Sequence, residues 1–312
     1  MIILKKILLS ILSLSLGALF LFSAFTKIYD LESFEGFQYT IVEYVHVPWI
    51  LATLGARILI GMEAALGLLM AIQFYGRKKW VLKLAIFLLI IFSVYLVYLW
   101  AAVGNNVDCG CFGDYLKMSP AVSLLKNAAL LIGIYLLTRF CNGIKFKRQE
   151  WITWILLIGL TIAPFIIYPL PNTQPDWLNK DKYKINLSSL YAPGKTDAPK
   201  EDLYKGKHVI AFFSLKCPHC RMAAKKMHIM KEKNPSLPFY MVVAGNDKYL
   251  APFFEDTHAQ NIPYAKLNSE EFTAIAGFSW PAIFLVNNGM VEAQTNYINM
   301  NQAEIEDWLK KP

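Results

Sequence analysis

Five apolar segments of membrane-spanning length constrain this chain more than any other feature of its sequence. They lie at about residues 7–28, 47–75, 81–103, 121–140 and 151–170. A helix of about 20 mainly apolar residues crosses the hydrocarbon core of a bilayer, where only helices and closed barrels satisfy every backbone hydrogen bond. The first segment is long for a signal peptide, and no convincing small-x-small cleavage site follows it. The sequence therefore predicts five membrane-spanning helices, the first of them uncleaved.

Basic residues give these helices an orientation. The formal net charge of +8 would also suit a nucleic-acid-binding protein. The lysines and arginines, however, gather at the ends of apolar segments, and three clusters fall on one side of the predicted bundle: Lys5/Lys6, Arg77/Lys78/Lys79 and Lys145/Lys147/Arg148. Because basic flanks stay in the cytoplasm, we expect a cytoplasmic N-terminus in the inner membrane. The loop at 104–120 and everything after residue 170 are then periplasmic. The lipid bilayer is the expected partner, and we exclude nucleic-acid binding.

The chain changes character after residue 170. Residues 171–205 contain several Pro, Asp and Lys residues and predict a linker with an opening strand at about 183–190. Residues 206–312 are less apolar and have the length and mixed pattern of an α/β domain. The predicted fold class is therefore a membrane α-helical bundle followed by an α/β domain.

A Cys-Pro-His-Cys motif follows the first predicted strand of that domain, at 209–213. A helix that begins at Pro218 places Cys217 at its N-terminus, where unpaired N–H groups and the helix dipole stabilise an anion. Cys220 lies one turn further on, and His219 adds positive charge. A zinc site would need a second cysteine pair, and none follows at a suitable spacing. The motif predicts a redox-active dithiol in which Cys217 has a low pKa.

The remaining pattern of this domain resembles the thioredoxin fold. The predicted elements are a strand at 237–244, helices at 249–260 and 269–276, strands at 282–286 and 290–297, and a closing helix at 302–310. The resemblance implies a cis bond before Pro281, beside the dithiol, and the tetrapeptide resembles the oxidising DsbA type. Two residues depart from that pattern: Ala211 stands where thioredoxin and DsbA have an acid, and Trp280 is bulkier than the usual Thr or Val. Lys216 is a candidate electrostatic substitute for the acid.

A second pair of cysteines, Cys109 and Cys111, lies in the outer loop at 104–120. An extended chain separates the Cα atoms of residues two apart by up to about 7 Å, the limit for a disulfide, so closure requires a bend. The neighbouring glycines supply the backbone freedom, and a strained ring is easily reduced. We interpret the pair as a redox relay. A soft-metal site completed by His46 or Asp114 and an inert structural bridge are the alternatives.

Ionisable side chains inside the predicted spans are costly in lipid and are functional candidates by default. Glu63 lies deep in the second span, Arg57 lies nearer its outer end, and Lys27 closes the first span. Glu63 and Arg57 lie about 240° apart around the helix, so we expect their partners on other helices. One interpretation is an interhelical ion pair. The other is proton handling or a quinone headgroup site, to which Trp100 would contribute an aromatic ring.

Two further groups are expected at the membrane interface. Lys83 and Lys126 lie near span ends, where long side chains extend towards the headgroups. Tyr95, Tyr98 and Trp100 lie near the outer end of the third span and predict an aromatic belt, with a quinone pocket as the alternative.

Three features of the first four spans resemble the methylamine-utilisation MauE family, a relative of the DoxX membrane proteins. They are Phe-Ser-Ala-Phe-Thr-Lys at 22–27, Glu63, and Cys-Gly-Cys-Phe-Gly at 109–113. The resemblance covers about residues 7–140. It implies a membrane protein that works with a thioredoxin-like partner in extracytoplasmic disulfide formation, and here the partner is fused to it. The predicted domains are a MauE/DoxX-like four-helix domain at 1–150, a fifth helix at 151–170, a linker at 171–205 and a thioredoxin-like domain at 206–312.

These features together predict a membrane-anchored extracytoplasmic thiol:disulfide oxidoreductase. Cys217 exchanges with thiols or disulfides of client proteins, Cys220 resolves the mixed disulfide, and Cys109 with Cys111 exchanges with that pair. Thiol exchange needs no cofactor. Because Cys141 is alone on the cytoplasmic side, we expect an oxidase that passes electrons to a quinone, similar in logic to DsbB and vitamin K epoxide reductase.

Two alternatives stay open. A disulfide reductase or isomerase for enzyme maturation would use the same dithiols, because the sequence does not set the direction of electron flow. A non-enzymatic metallochaperone would use both cysteine motifs as soft ligands for Cu(I) or Zn.

Overall fold

The computed structural model describes residues 2–113, 116–145, 147–170, 178–195 and 197–311. The chain divides into two compact units, a helical one at Met1–Leu170 and an α/β one at Pro171–Pro312.

The described part of the helical unit contains six α-helices. Their bounds are α1 Ile2–Ile28, α2 Leu31–Val45, α3 Trp49–Ala71, α4 Trp80–Ala102, α5 Pro120–Phe140 and α6 Gln149–Ile167. All except α2 are long and apolar enough to cross a membrane, which confirms the five predicted spans. The shorter α2 helix lies between the first two membrane-spanning helices. It buries Phe34 and Phe37 in a cluster with Ala24 of α1 and Ala56 of α3.

Glycines let the helices of this unit approach closely. A Cβ atom on Gly17 of α1 would lie 2.6 Å from the carbonyl oxygen of Gly67 in α3. A Cβ atom on Gly61 of α3 would lie 2.7 Å from the carbonyl oxygen of Leu160 in α6. Small residues at such contacts allow the close packing that holds helices together in lipid. The α3 helix therefore packs tightly against both α1 and α6.

The basic clusters come together at one end of the helical unit, as the alternating spans predict. The Lys5 ammonium lies 4.7 Å from the centre of the Phe140 ring. The Lys79 ammonium donates a hydrogen bond to the Thr138 carbonyl oxygen at 2.6 Å. The N-terminus, the loop before α4 and the end of α5 thus lie on the same side.

The Cys-Gly-Cys loop lies at the opposite end. Ser23, near the end of α1, donates a hydrogen bond from its Oγ to the Cys111 carbonyl oxygen at 3.1 Å. The Tyr168 hydroxyl, just after α6, donates to the Ile28 carbonyl oxygen at 3.4 Å. The loop dithiol and the point where the chain leaves the helical unit therefore share one end of the bundle.

The α/β unit contains a six-stranded sheet. Its strands and helices are β1 Leu178–Lys184, β2 Lys207–Ser214, α7 Pro218–Lys233, β3 Phe239–Ala244, α8 Leu250–Thr257, β4 Tyr264–Leu267, α9 Ser269–Ala276, β5 Ala282–Asn287, β6 Met290–Thr295 and α10 Gln302–Lys310. The strand order is β1-β6-β5-β2-β3-β4, with β2, β3 and β4 parallel and with β5 antiparallel to β2 and β6. A β2-α7-β3 unit beside a β5-β6 hairpin, followed by a final helix, is the thioredoxin fold. The predicted fold class is confirmed.

The linker is shorter than the sequence predicts. Within the segment predicted as linker, β1 pairs antiparallel with β6. Four apolar side chains that follow β1 are buried in the core of the sheet: Ile185, Leu187, Leu190 and Leu203. The many polar residues between them conceal their burial in the sequence. The rest of the predicted linker, residues 171–177, lies outside the described residues.

The sequence pattern also does not reveal β4. This edge strand has only four residues, Tyr-Ala-Lys-Leu, too few for alternation to distinguish a strand from a loop. Its conformation comes from parallel pairing with β3, in which Met241 is opposite Tyr264.

Candidate active site

The Cys-Pro-His-Cys motif connects β2 to α7. The Ser214 carbonyl oxygen at the end of β2 accepts a hydrogen bond from the Cys217 N–H at 3.0 Å. Pro218 is the first residue of α7, and Cys217 caps the helix, since its Sγ accepts a hydrogen bond from the Cys220 N–H at 3.4 Å. The first thiol therefore lies at a helix N-terminus with its partner one turn on, the geometry that the spacing predicts.

The two thiols differ in burial and acidity. Cys220 is fully buried, whereas Cys217 is partly exposed. A hydrogen bond from the Cys220 thiol, the N–H of Cys220 and the charge of His219 lower the pKa of Cys217 to about 6. Burial raises the pKa of Cys220, and the adjacent Cys217 raises it further. Cys217 is therefore the thiolate at neutral pH, and Cys220 stays protonated.

The bond between Trp280 and Pro281 is cis, as the resemblance to thioredoxin predicts. It lies beside the dithiol, because Cys217 Sγ is 3.9 Å from the Trp280 carbonyl oxygen. The Trp280 ring packs against Phe272 with centroids 5.4 Å apart, and its indole N–H donates to the Gly277 carbonyl oxygen at 2.9 Å. The bulk of Trp280 is thus accommodated in the domain core. Its backbone oxygen is the part that contacts the reactive thiol.

His219 is exposed and rests on a loop that a buried lysine holds in place. The His219 ring lies 5.4 Å from the ring of Tyr297. The buried Lys226 ammonium donates hydrogen bonds to the carbonyl oxygens of Tyr297 at 2.7 Å and Ile298 at 3.2 Å. Sequence reasoning does not identify Lys226, because a lysine on an amphipathic helix is ordinarily a solvated surface residue.

Ala211 departs from the thioredoxin pattern, in which an acid stands at this position. Ala211 is fully buried in β2. In the described part of the domain, the pKa of Cys220 is set by burial and by Cys217 rather than by a carboxylate. Lys216, the expected substitute, interacts elsewhere: its ammonium lies 4.6 Å from the centre of the Tyr249 ring. The positive charge that acts on Cys217 comes from His219 instead.

The Cys-Gly-Cys loop forms a tight bend against the end of α1. Gly110 has a φ of 67° and Gly113 a φ of 55°, in the left-handed region that favours glycine. Cys109 Sγ accepts a hydrogen bond from the Cys111 N–H at 3.4 Å, which brings the two residues together. A Cβ atom on Gly113 would lie 2.8 Å from the Thr26 carbonyl oxygen, so the loop rests directly on the helix.

The loop thiols repeat the asymmetry of the first pair. Cys109 is 3% exposed and its Sγ lies 3.0 Å from Ser123 Oγ, whereas Cys111 is partly exposed. The Cys109 thiol hydrogen-bonds to Cys111 and lowers the pKa of Cys111, and the charges of Lys126 and Lys27 lower it further. The same hydrogen bond, together with burial, raises the pKa of Cys109. Cys111 is therefore the thiolate of the loop pair.

A buried ion pair adjoins this loop. The Lys27 ammonium lies 2.7 Å from Glu63 Oε2, and the two side chains are 2% and 8% exposed. Ser23 Oγ accepts a hydrogen bond from Lys27 at 2.8 Å and is within donating distance of Glu63 Oε2 at 3.2 Å and of the Cys111 carbonyl oxygen at 3.1 Å. Glu63 thus has its expected partner on another helix. The hydrogen bonds of Ser23 connect this pair to the backbone of the loop dithiol.

A cavity of about 280 Å³ opens beside the loop dithiol and has Cys109 and Cys111 in its wall. Helices α1 to α5 contribute its mainly apolar lining. Its other polar or charged side chains are Ser23, Lys27, Thr40, Glu63, Tyr95, Lys126 and Asn127.

Three of these lining residues have a different position from the first expectation or none predicted at all. Lys126 lines the cavity, and its ammonium lies 4.4 Å from the centre of the Phe112 ring, which corrects its assignment to the headgroup interface. Tyr95 also lines the cavity rather than serving only in an aromatic belt. Asn127 is buried and donates a hydrogen bond to Ser93 Oγ at 3.2 Å. The available signal was the Lys126-Asn127 pair, because two polar residues inside an apolar span require polar surroundings.

Arg57 and Trp100, the other headgroup candidates, do not line this cavity. Arg57 is buried and donates hydrogen bonds to the carbonyl oxygens of Tyr168 at 3.0 Å and Pro169 at 3.1 Å. It therefore fixes the chain where it leaves α6. Trp100 is 48% exposed, as the aromatic-belt interpretation predicts. Their assignment to a headgroup site is not supported.

One alternative for the loop cysteines is a soft-metal site completed by His46 or Asp114. Among the residues described, no group of three or more His, Cys, Asp or Glu side chains is arranged to hold a metal ion. His46 is the residue at which α2 ends, in a left-handed conformation with a φ of 58°. Asp114 lies outside the described residues.

Comparison with known proteins identifies relatives of both units. Residues 5–140 match the family model described as methylamine utilisation protein MauE, which confirms the resemblance seen in the sequence. Over 353 aligned residues the chain is 26% identical to protein TlpB of Flavobacterium psychrophilum, with 94% of this chain and 93% of that protein covered.

Several solved structures are also similar to parts of this chain. One is a secreted Mycobacterium tuberculosis disulfide oxidoreductase described as homologous to E. coli DsbE, at 18% identity and a TM-score of 0.28, covering 33% of this chain and 80% of that one. Another is StoA from Bacillus subtilis, at 15% identity and a TM-score of 0.30, covering 43% and 99%. The thioredoxin fold of this unit rests on its own strand order and cis proline.

Proposed function

We propose that this chain is a membrane-anchored thiol:disulfide oxidoreductase that forms disulfides in extracytoplasmic client proteins. The observation that carries the proposal is the asymmetric dithiol at the start of α7. Cys217 is partly exposed with a pKa lowered to about 6, and Cys220 is buried with a raised pKa. A thiolate is the reactive form of cysteine, and a protected partner resolves the mixed disulfide.

The reaction at this site is a pair of thiol exchanges. A client thiolate attacks Cys217 Sγ in the Cys217–Cys220 disulfide, so an S–S bond to the client forms and the Cys220 thiolate leaves and takes up a proton. A second client thiolate then attacks the client sulfur of the mixed disulfide and releases Cys217 as the thiolate. The client loses two electrons, and the dithiol of the domain gains them. The cis Pro281 and the Trp280 carbonyl oxygen form one wall of this site.

The loop dithiol re-oxidises the domain. The Cys217 thiolate attacks Cys111 Sγ in the Cys109–Cys111 disulfide, and Cys109 leaves. Cys220 then attacks Cys217 Sγ, which restores the Cys217–Cys220 disulfide and leaves the loop as a dithiol. The greater exposure of Cys111 favours it over Cys109 as the point of attack. Because both dithiols belong to one chain, their effective concentration reaches the mM range, about that of a short flexible tether.

A quinone is the acceptor class that fits the loop dithiol. The cavity that has both thiols in its wall is mainly apolar and carries a few polar groups, the composition of a small-molecule site. A lipid-soluble two-electron acceptor reaches such a cavity from the bilayer. In this proposal the basic clusters lie in the cytoplasm and the loop and α/β unit lie outside the inner membrane.

The exchange between the dithiols is tested by trapping. In a Cys220→Ser/Cys109→Ser variant, we expect a Cys217–Cys111 disulfide that shifts the full chain on non-reducing gels and disappears with reductant. The matched Cys220→Ser/Cys111→Ser variant, which leaves the buried Cys109, should cross-link more slowly. If neither variant forms the intramolecular disulfide under oxidising conditions, the relay is wrong, although the oxidoreductase activity of Cys217 could still be intact.

The direction of electron flow is tested by the reduction potential of the Cys217/Cys220 pair. Stabilisation of the Cys217 thiolate favours the reduced form and makes the disulfide a stronger oxidant. The proposed oxidase requires a value closer to about −120 mV, that of DsbA, than to about −270 mV, that of thioredoxin. A value at the thioredoxin end would favour the reductase or isomerase alternative.

A further inference from the structure

The Tyr95 hydroxyl is a buried polar group with no hydrogen-bond partner among the residues that the structure describes. Tyr95 lies on α4, and its hydroxyl is shielded from solvent. Leaving a buried hydroxyl unsatisfied is costly, so such a group calls for an explanation such as a ligand. Tyr95 lines the cavity at the loop dithiol and packs against the apolar cluster that contains Cys109.

The cavity that Tyr95 lines has the character of a site for a lipid-soluble ring. Three of its lining side chains are apolar and outward-facing: Leu19 is 44% exposed, Val45 44% and Ile91 47%. Leu19 and Ile91 belong to membrane-spanning helices, so the rim of the cavity is apolar at the depth of the bilayer. Its volume of about 280 Å³ is close to the lower limit of small-molecule pockets. A headgroup fits this space, and its chain can extend past the rim into lipid.

The polar groups of the cavity are distributed to suit a ligand with hydrogen-bond-accepting oxygens. Tyr95 supplies a hydroxyl donor that no other described residue uses. Lys27 is already paired with Glu63 and Ser23, whereas the Lys126 ammonium lies over the Phe112 ring at 4.4 Å. An apolar ligand without oxygens would leave the Tyr95 hydroxyl unsatisfied, and a strongly charged one would meet a mainly apolar wall.

We propose that the Tyr95 hydroxyl is the hydrogen-bond donor that holds a carbonyl oxygen of a quinone headgroup against the loop dithiol. This inference rests on the proposed function, since it assigns the place and a ligand contact of the electron acceptor. The Cys109 thiol and the Cys111 thiolate then lose two electrons and one proton and form one S–S bond. These two electrons and this proton, together with a second proton from solvent, convert one quinone into one quinol. The Lys27–Glu63 pair, in the same cavity, is placed to move protons to the quinone oxygens.

The test is direct binding of decylubiquinone to the oxidised full-length protein in detergent, where no turnover occurs. Quenching of tryptophan fluorescence gives the dissociation constant for the wild type, for Tyr95→Phe and for the control Tyr98→Phe, whose ring is 48% exposed and does not line the cavity. We expect Tyr98→Phe to bind like the wild type and Tyr95→Phe to bind about tenfold more weakly, the effect of about one lost hydrogen bond. The unfolding temperature without quinone should not fall in Tyr95→Phe, because the deleted hydroxyl has no partner among the described residues.

The possible outcomes test the role of Tyr95 separately from the quinone acceptor on which that role depends. If the wild type binds decylubiquinone and Tyr95→Phe binds equally well, the role of Tyr95 is wrong while the quinone acceptor stands. A lowered unfolding temperature in Tyr95→Phe would also count against it, by revealing a partner within the protein. If decanol, which has the chain but no quinone ring, shows the same dependence on Tyr95, the site holds a lipid chain. If the wild type does not bind decylubiquinone, the quinone part of the proposed function fails together with the inference.

Discussion

The two dithiols of this chain share one chemical asymmetry and reach it by different physical means. In each pair a partly exposed cysteine has a lowered pKa, Cys217 in the α/β unit and Cys111 in the membrane loop, while its partner is buried with a raised pKa. At Cys217 the stabilising groups belong to the motif itself: the Cys220 thiol, the N–H groups at the start of α7, and His219. The α/β unit therefore needs nothing beyond its own fold to make this thiolate.

The Cys111 thiolate in the loop does not lie at a helix N-terminus. It depends first on the Cys109 thiol and then on Lys126 and Lys27, which come from two different membrane helices. The acidity of Cys111 is thus a property of how the bundle packs, whereas that of Cys217 is a local property of four residues. Substitutions in the membrane helices should change one dithiol and leave the other unchanged.

The largest expected effect is on the buried Lys27–Glu63 pair. Lys27→Met leaves the Glu63 carboxylate buried without its partner, and breaking such a pair costs about 3–5 kcal/mol of unfolding free energy. In the Lys27→Met/Glu63→Leu double variant no charge is left unpaired, and we expect most of that stability to return. The measurement is unfolding of the full chain by increasing SDS in mixed micelles, followed by circular dichroism.

The same variants test whether the two dithiols are independent of each other. Both should leave the reactivity of Cys217 unchanged, because neither residue belongs to the α/β unit. A Lys27→Met protein as stable as the wild type would show that the pair contributes no net stability. A double variant as unstable as Lys27→Met would show that the loss arises from packing and not from the unpaired carboxylate.

The next effect in size is the pH dependence of Cys217. Its pKa is lowered from 9.0 to about 6, so the thiolate is the favoured form in the folded domain. The resulting stabilisation is complete above the unfolded pKa and is lost as the pH falls through the folded pKa. In a chain that keeps only Cys217 and Cys220, we expect the rate of alkylation by iodoacetamide to be level above pH 7 and to fall about tenfold per unit below pH 6.

Two controls separate local acidity from general reactivity. The buried Cys220 should remain unmodified over this range while the domain is folded. In denaturant the Cys217 rate should instead rise with pH up to about 8.5, the value for a free cysteine. A folded-state profile that coincides with the denatured one would mean that the start of α7 does not stabilise the thiolate.

The sequence predicts the first site better than the second for the same reason that their electrostatics differ. Cys217, Pro218 and Cys220 are close in sequence, so the geometry that sets their chemistry is local and can be derived from helix-start rules. The cis bond before Pro281 follows from the fold resemblance. The five spans are equally predictable, because each one is continuous in the sequence.

Contacts between residues that are far apart in the sequence cannot be predicted from such local rules. The pairing of Lys27 with Glu63 joins residues 36 apart, and the connection of Ser23 to Cys111 joins residues 88 apart. Periodicity shows that Glu63 lies in a helix but does not show which helix faces it. The same limit applies to Arg57, which the sequence offers as a headgroup candidate but which binds the backbone after α6. Interior and interfacial lysines also look alike in sequence, so the sequence predicts an interfacial position for Lys126.

The smallest expected effect is on the acidity of Cys111, and it tests the comparison most directly. Lys126 lines the cavity and is one of the charges that lower the pKa of Cys111. Lys126→Met should raise that pKa by about one unit, the lower end for loss of a nearby opposite charge. The measurement is the pH dependence of methyl methanethiosulfonate modification in a chain whose only cysteine pair is Cys109/Cys111.

The control is Lys83→Met, since Lys83 is exposed on α4 and lies outside the cavity lining. An equal shift in both variants would mean that net charge, rather than the position of Lys126, sets the acidity. No shift in either would mean that Lys126 does not lower the pKa of Cys111, and the Cys109 hydrogen bond and the charge of Lys27 would then be what lowers it.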